Sequence, residues 1–138
     1  MATGPITKLD DLVDLVESRP GLMVRFSEGP EKDAEGGSID YESGLEMPGL
    51  SANRLDAEAW WTRPLRDWVS RQVCQYAHMA ERSPEHRAWV IRGELVGRGP
   101  DDEPLVRDPE YVAWLADELL DEAAQCYHTR FDAGRASR

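Results

Sequence analysis

The stretch RAWVIRGELVGRG, residues 87–99, limits the fold of this 138-residue chain more than any other. Trp89, Ile91 and Leu95 fall on one side and Val90, Arg92, Glu94 and Val96 on the other, the two-residue period of a half-buried strand of about ten residues. The turn GPDD follows, then EPLVR, and the three pieces read as an antiparallel hairpin. Paired strands beside helices that do not strictly alternate with them favour α+β over a parallel, doubly wound sheet.

Helical periods flank the hairpin. In ITKLDDLVDLVESRPG, residues 6–21, Leu9, Leu12, Val13 and Val16 sit at i, i+3, i+4 and i+7. Thr7 and Asp10 are spaced as a capping box, and Pro20-Gly21 stops the run. LMVRFSE then alternates Leu22, Val24 and Phe26 against Met23, Arg25 and Ser27, so Arg25 and Ser27 share one face of a strand. Residues 29–38, GPEKDAEGGS, read as an exposed, mobile loop, and IDYESGLEMPGLSANRL as short strand pieces broken by Gly44 and Pro48-Gly49. A central helix runs from Thr62-Arg63-Pro64 to Ser83-Pro84, with Leu65, Val69, Val73, Tyr76 and Ala80 on one stripe. A third is expected from Asp108 as cap and Pro109 as first residue through YVAWLADELLDEAAQCYHTRF, with Val112, Leu115, Leu119, Ala123 and Cys126 facing the core. The expected architecture is one α+β domain over residues 1–138, a small, mostly antiparallel sheet of about four or five strands packed with three helices, its end frayed over 132–138.

Composition enters through charge. The chain carries 27 acidic and 16 basic side chains, a formal charge of −11, which disfavours nucleic-acid backbones and anionic membranes as partners. The start, MATGPITKLDD, has no basic region followed by an apolar stretch, and no run approaches the ~20 apolar residues of a membrane span, so a soluble, cytoplasmic protein is expected. Its basic residues are almost all arginine, with Lys8 and Lys32 the two lysines, a bias that points to GC-rich bacterial coding. The charge is also uneven: residues 1–59 sum to −8, residues 60–98 to +3 and residues 99–138 to −6. The basic middle holds Trp60, Trp61, Trp68 and Trp89 among Arg63, Arg66, Arg71, Arg87, Arg92 and Arg98. Aromatic and guanidinium groups together suit stacking and anion contacts, although the same residues also serve as core and as partners for the acidic flanks.

Metal and nucleophile patterns are weak. Cys74 and His78 have a ligand spacing of i, i+4, and Cys126 and His128 lie close together, but helical geometry points the two halves in different directions, so no metal is expected. Two cysteines far apart in an intracellular chain read as free thiols. Asp117 with Asp121 and Glu118 with Glu122 are like-charged i, i+4 pairs whose cost a basic partner would relieve. Gly97-Arg98-Gly99 is a turn rather than a dinucleotide loop, because Asp102 stands where a third glycine would be needed.

Arg25 in VRFS, Ser51 in PGLSAN and Glu103 in DDEPLV occur in an order that resembles ADP-ribosyltransferase-like domains. The resemblance implies an arginine gripping NAD, a serine shaping the nicotinamide pocket and a catalytic Glu103 holding ribose hydroxyls. Ala52 and Asn53 after Ser51, and Asp101 two before Glu103, depart from that pattern. Over nearly its whole length, through RFSEGPEKD, DYESGLEMPGLSAN, WWTRPLRDWV and GRGPDDEPLV, the chain also resembles a small, mainly actinobacterial family of unassigned function. The leading expectation is a binding module without cofactor, its site where PGLSAN approaches the Trp60-Trp61-Thr62-Arg63 corner. Arg25, Ser27, Ser51, Asn53, Trp60, Trp61 and Arg63 are its candidate residues, and an anionic small molecule or acidic peptide its ligand. An NAD-dependent transferase using Glu103 is the alternative, and an acidic module that presents its flanks to a basic protein partner is a third.

Overall fold

The computed structural model describes the backbone of residues 4–136 and the side chains of residues 4–131. In chain order the elements are β1 (Pro5–Ile6), α1 (Leu9–Ser18), β2 (Met23–Ser27), α2 (Pro30–Asp33), β3 (Leu50–Ser51) and β4 (Asn53–Arg54). Then come α3 (Leu65–Val73), α4 (Gln75–Arg82), β5 (Arg87–Arg98), β6 (Pro104–Leu115) and α5 (Asp117–Ala136). The expected α+β domain is present, with more and shorter elements: a six-stranded sheet in the order β1-β6-β5-β2-β4, with β3 also paired to β6. Among the described strands one pairing is parallel, β1 with β6.

The β5–β6 hairpin is the spine of the sheet, and it runs longer than the sequence suggests. Both arms have 12 residues, so Pro104–Leu115 is strand where a helix is expected from Asp108 and Pro109. The reason is visible in the register. Arg92 pairs with Glu110 and Glu94 with Arg107, leaving Asp108 and Pro109 opposite Gly93 in a bulge. The missing N–H of Pro109 therefore costs no ladder bond, and Asp108 takes φ 51° where the strand bends. A Cβ on Gly93 would lie 3.0 Å from the Arg107 carbonyl oxygen, so the bulge needs glycine there. Beyond it Tyr111, Val112 and Trp114 carry the strand preference that outweighs a helical spacing of Val112 and Leu115.

The two faces of the sheet are covered differently. Leu22, Val24, Ala88, Val90 and Leu115 meet Leu9, Leu12 and Val16 of α1, Val69 and Val73 of α3, Tyr76 of α4 and Leu119, Leu120 and Ala123 of α5 in the main core. Met23, Trp89, Ile91, Val106 and Tyr111 form a smaller core with Ala52 on the other face, where Asp33 of α2 is buried as well.

The cap of α1 and the continuity of the central helix differ from the expectation, while the stops at Pro20-Gly21 and Ser83-Pro84 hold. The N-cap of α1 is Lys8 rather than Thr7, and the Leu9 N–H donates instead to Glu122 Oε1 at 2.9 Å. That acid also receives Arg66 at 2.9 Å, which relieves part of the like-charge cost on α5. The central helix is interrupted at Cys74, where the Ala77 N–H reaches the Cys74 carbonyl in a three-residue turn. The expected frayed end at 132–138 begins inside α5, which continues to Ala136, and residues 137–138 lie outside the described ones.

Gly49 is fixed by close approach at the β3–β6 pairing. A Cβ there would sit 2.8 Å from the Val106 carbonyl oxygen and 2.9 Å from Val96 Cγ2. Gly49→Ala is expected to destabilise the domain by about 1–3 kcal/mol, measured by urea unfolding.

Candidate functional site

Arg25 and Ser27 share the face of β2 away from the main core, as the strand period requires. Opposite them lies Asp33, with its side chain 4% exposed. Arg25 Nη2 donates to Asp33 Oδ1 at 3.0 Å, and Ser27 Oγ donates to Asp33 Oδ2 at 2.9 Å. The Tyr111 hydroxyl, from β6, donates to the same Oδ2. Burial, and then the neighbouring Asp33 carboxylate, push the Tyr111 phenol well above its ordinary range. The residues 29–38 expected to form an exposed, mobile loop therefore contain a helical turn and a buried acid. The Gly29-Pro30 step, with proline opening that turn, was the signal for it.

The same guanidinium braces the chain leading to β3. Arg25 Nη1 donates to the Ser51 carbonyl at 2.9 Å and to Ser38 Oγ at 3.2 Å, while the Ser51 N–H donates to Ser38 Oγ at 2.9 Å. Arg25 Nε is buried with no hydrogen-bond partner. Arg25, Ser51, Asn53 and Glu103 line one cleft of about 340 Å³ with Tyr76, Gln75 and Asp101. A second cavity, of about 650 Å³, shares Arg25 and Ser51 with it and adds Ser27, Asp33 and Ser38. The sequence signals missed Asp33, Ser38 and Tyr111, because their roles arise from contacts across 6 to 78 residues of chain.

The chemistry available in the first cleft is limited by what its residues already hold. The positive charge of Arg25 is neutralised by Asp33, and Glu103 Oε1 accepts the Asp101 N–H at 3.0 Å, within the β5–β6 turn. Asn53 Nδ2 donates to the Tyr76 hydroxyl at 2.8 Å. Asp101 and Glu103 leave the cleft wall net acidic, so its electrostatics suit a cation or a neutral hydrogen-bonding group better than an anion.

Trp60, Trp61 and Arg63 lie elsewhere: neither cavity lined by Ser51 includes them. The sequence reading joined PGLSAN to this corner, and the fold separates the two. Trp60 and Trp61 precede α3 rather than belonging to it, and their rings pack edge-on with each other and with buried Trp68 at 5.1–6.1 Å between centroids. Trp61 is partly buried against the main core and donates its indole N–H to the Pro64 carbonyl. Trp60 remains 68% exposed. Beside the rings, Arg63 and Arg130 both pair with buried Asp67, at 3.0 and 3.2 Å. The Arg63 guanidinium also lies 4.4 Å from the centre of the Phe131 ring. Two guanidiniums on one carboxylate leave positive charge beside an exposed aromatic surface. No sequence signal pointed to Arg130 or Asp67, which join the corner through the packing of α3 against α5.

Among the described residues no group of three or more His, Cys, Asp or Glu side chains is gathered as a metal site, and Cys74 and Cys126 are unbridged. No helix among them is long and apolar enough to cross a membrane. Fold and surface thus define a small α+β domain with a polar cleft beside β2 at the β4 edge of the sheet and an aromatic, basic corner on the helical side. The chain belongs to the DUF6098 family, a family of unknown function, whose pattern matches residues 2–137. No curated protein and no solved structure matches it.

The buried phenols make stability depend on alkaline pH. Burial raises Tyr76 as well as Tyr111, so the folded state holds both protons more tightly than the unfolded chain does. Their contribution is complete below the ordinary tyrosine value of about 10 and is lost as pH rises through the raised values. Tyr111→Phe is expected to cost about 1–3 kcal/mol at neutral pH and to lose less melting temperature than the wild type between about pH 9 and 11, as followed by circular dichroism.

Proposed function

We propose that the protein is a binding module whose working surface is the corner formed by Trp60, Trp61 and Arg63, extended by Arg130, and that its ligand is an acidic peptide segment or small anion. One observation carries this reading: Trp60 is two-thirds exposed on a cluster of three tryptophans, beside two arginines that share one buried carboxylate. Tryptophan and arginine are the residues that most often dominate binding energy, and a rigid ring cluster orders at little entropic cost. No cofactor enters this reading. An acetylated peptide alternating Glu and Leu is expected to change the tryptophan fluorescence on titration, more weakly as salt is added. Trp60→Ala should weaken that binding by about 2 kcal/mol, roughly 30-fold, and Glu58→Gln, which removes the nearest acid in the sequence, should strengthen it about two-fold. Equal response to the matching Lys-Leu peptide would contradict the proposal.

A second reading, an NAD-dependent transferase or glycohydrolase, draws on the single cleft lined by Arg25, Ser51 and Glu103. Against it stand the pairing of Arg25 with Asp33 and the seating of Glu103 in its own turn. Incubation with NAD distinguishes the two: the binding reading predicts nicotinamide release at background for both wild type and Glu103→Gln, and release above background that Glu103→Gln abolishes would establish the enzyme instead.

A further inference from the structure

We infer that the turn at residues 39–46 of one copy docks on the Trp60–Arg63 corner of a second copy, joining chains head to tail. This rests on the binding reading of the corner and names its partner.

The turn is built to present side chains outward. Ile39 and Glu46 form an isolated bridge, the Asp40 N–H donates to the Leu45 carbonyl at 2.9 Å, and the Gly44 N–H donates to the Asp40 carbonyl at 2.7 Å. The Asp40 carboxylate accepts Ser43 Oγ at 2.6 Å and the Glu42 N–H at 3.3 Å, and Gly44 takes φ +75° to close the loop. A turn bonded this thoroughly to itself needs little further ordering when it binds. From it Tyr41 stands 97% exposed, Leu45 69% and Ile39 45%. Asp40, Glu42 and Glu46 surround these apolar groups, with no Lys or Arg between Lys32 and Arg54.

The corner has the complementary character. Its exposed Trp60 ring offers a face for Tyr41 and Leu45, and Arg63 and Arg130 offer charge to the carboxylates around them. Ile39, Tyr41 and Glu46 of the turn line a cavity with Arg25, Ser27 and Asp33, on the face of β2 away from the main core, whereas Trp61 of the corner packs against that core, so one chain does not satisfy itself. Because the two patches lie on opposite sides of the sheet, one pair of copies does not exchange both contacts, and association extends from copy to copy. Few apolar side chains take part, and each copy carries −11, so the contact belongs with small, weak interfaces and assembles at roughly 0.1 mM chain.

Sedimentation equilibrium on the full chain, from about 10 μM to about 1 mM at roughly 0.15 M salt, tests it. The wild type is expected to rise above the 15.6 kDa of one chain and to pass twice that mass at the highest concentrations. Tyr41→Ala, which keeps the corner, and Trp60→Ala, which keeps the turn, should each remain at one chain, and their equimolar mixture should reach two chains and go no further. Leu45→Ser and Arg130→Ala repeat the two arms without touching either aromatic residue, and thermal melts confirm that the variants are folded. A wild type at 15.6 kDa throughout, variants that associate like the wild type, or a mixture that stays at one chain would each overturn the inference. The Glu-Leu peptide reads the corner alone. A monomeric wild type that binds the peptide overturns the docking of a second copy and leaves the corner's binding intact, whereas one that binds no peptide overturns both.

Discussion

Bringing the Asp33 carboxylate out of water costs several kcal/mol unless its lone pairs are met, and the layer over one face of the sheet is organised around meeting them. Arg25 and Ser27 reach it from β2, Tyr111 from β6, and the acid itself arrives on the single helical turn α2. These donors come together only when β2, β5 and β6 are in register, since β5 lies between the other two. The network therefore closes as a unit, and removing the carboxylate takes from the Tyr111 hydroxyl and Arg25 Nη2 the acceptor they share. Through Ser38 and Ser51 the same arginine fixes the path of the chain into β3, and with it the walls of both polar cavities.

The helical face is held in a more ordinary way. Its core is a continuous set of aliphatic side chains from α1, α3, α4 and α5 against β2, β5 and β6, and its polar links, Glu122 with Arg66 and Asp67 with Arg63 and Arg130, lie at the margins. Placing Asp67 under two arginines costs stability if either is lost, yet it fixes guanidiniums beside the exposed aromatic cluster, the rigid positive charge on which the proposed binding rests. The two surfaces proposed to act in binding thus sit on opposite layers. Each owes its rigidity to local bonding: the turn to Asp40, the corner to Asp67.

Where local pattern and tertiary environment agree, the sequence was readable. The alternation in LMVRFSE placed Arg25 and Ser27 together, and the stripes of α1 and α3 follow their periods, while the hairpin forms where expected but loses its alternation past the bulge, where Leu95 is exposed rather than beside Trp89 and Ile91. It misled where pairing decided the outcome. Asp108-Pro109 has the form of a helix start, but the opposing arm of the hairpin continues and absorbs the proline in a bulge at Gly93. Asp33 looked like one more charge in a solvated loop, and nothing local to it announces Tyr111, 78 residues away. The Trp60-Trp61 pair was legible as an aromatic cluster, but its separation from the cavities at Ser51 was not, because that depends on how α3 packs against α5 rather than on any spacing in the chain.

One buried carboxylate pins the layer over residues 28–49, while the helical layer stands independently of it. Amide hydrogen exchange of Asp33→Asn against the wild type measures this directly. Faster exchange is expected at Ser38 and Met47, whose N–H groups tie the layer together through Gly49 and Ser38, with the self-bonded turn at Asp40 and Gly44 and the amides of α1, α3 and α5 unchanged. Unaltered protection across residues 34–49, or an equal loss of protection in both layers, would contradict it.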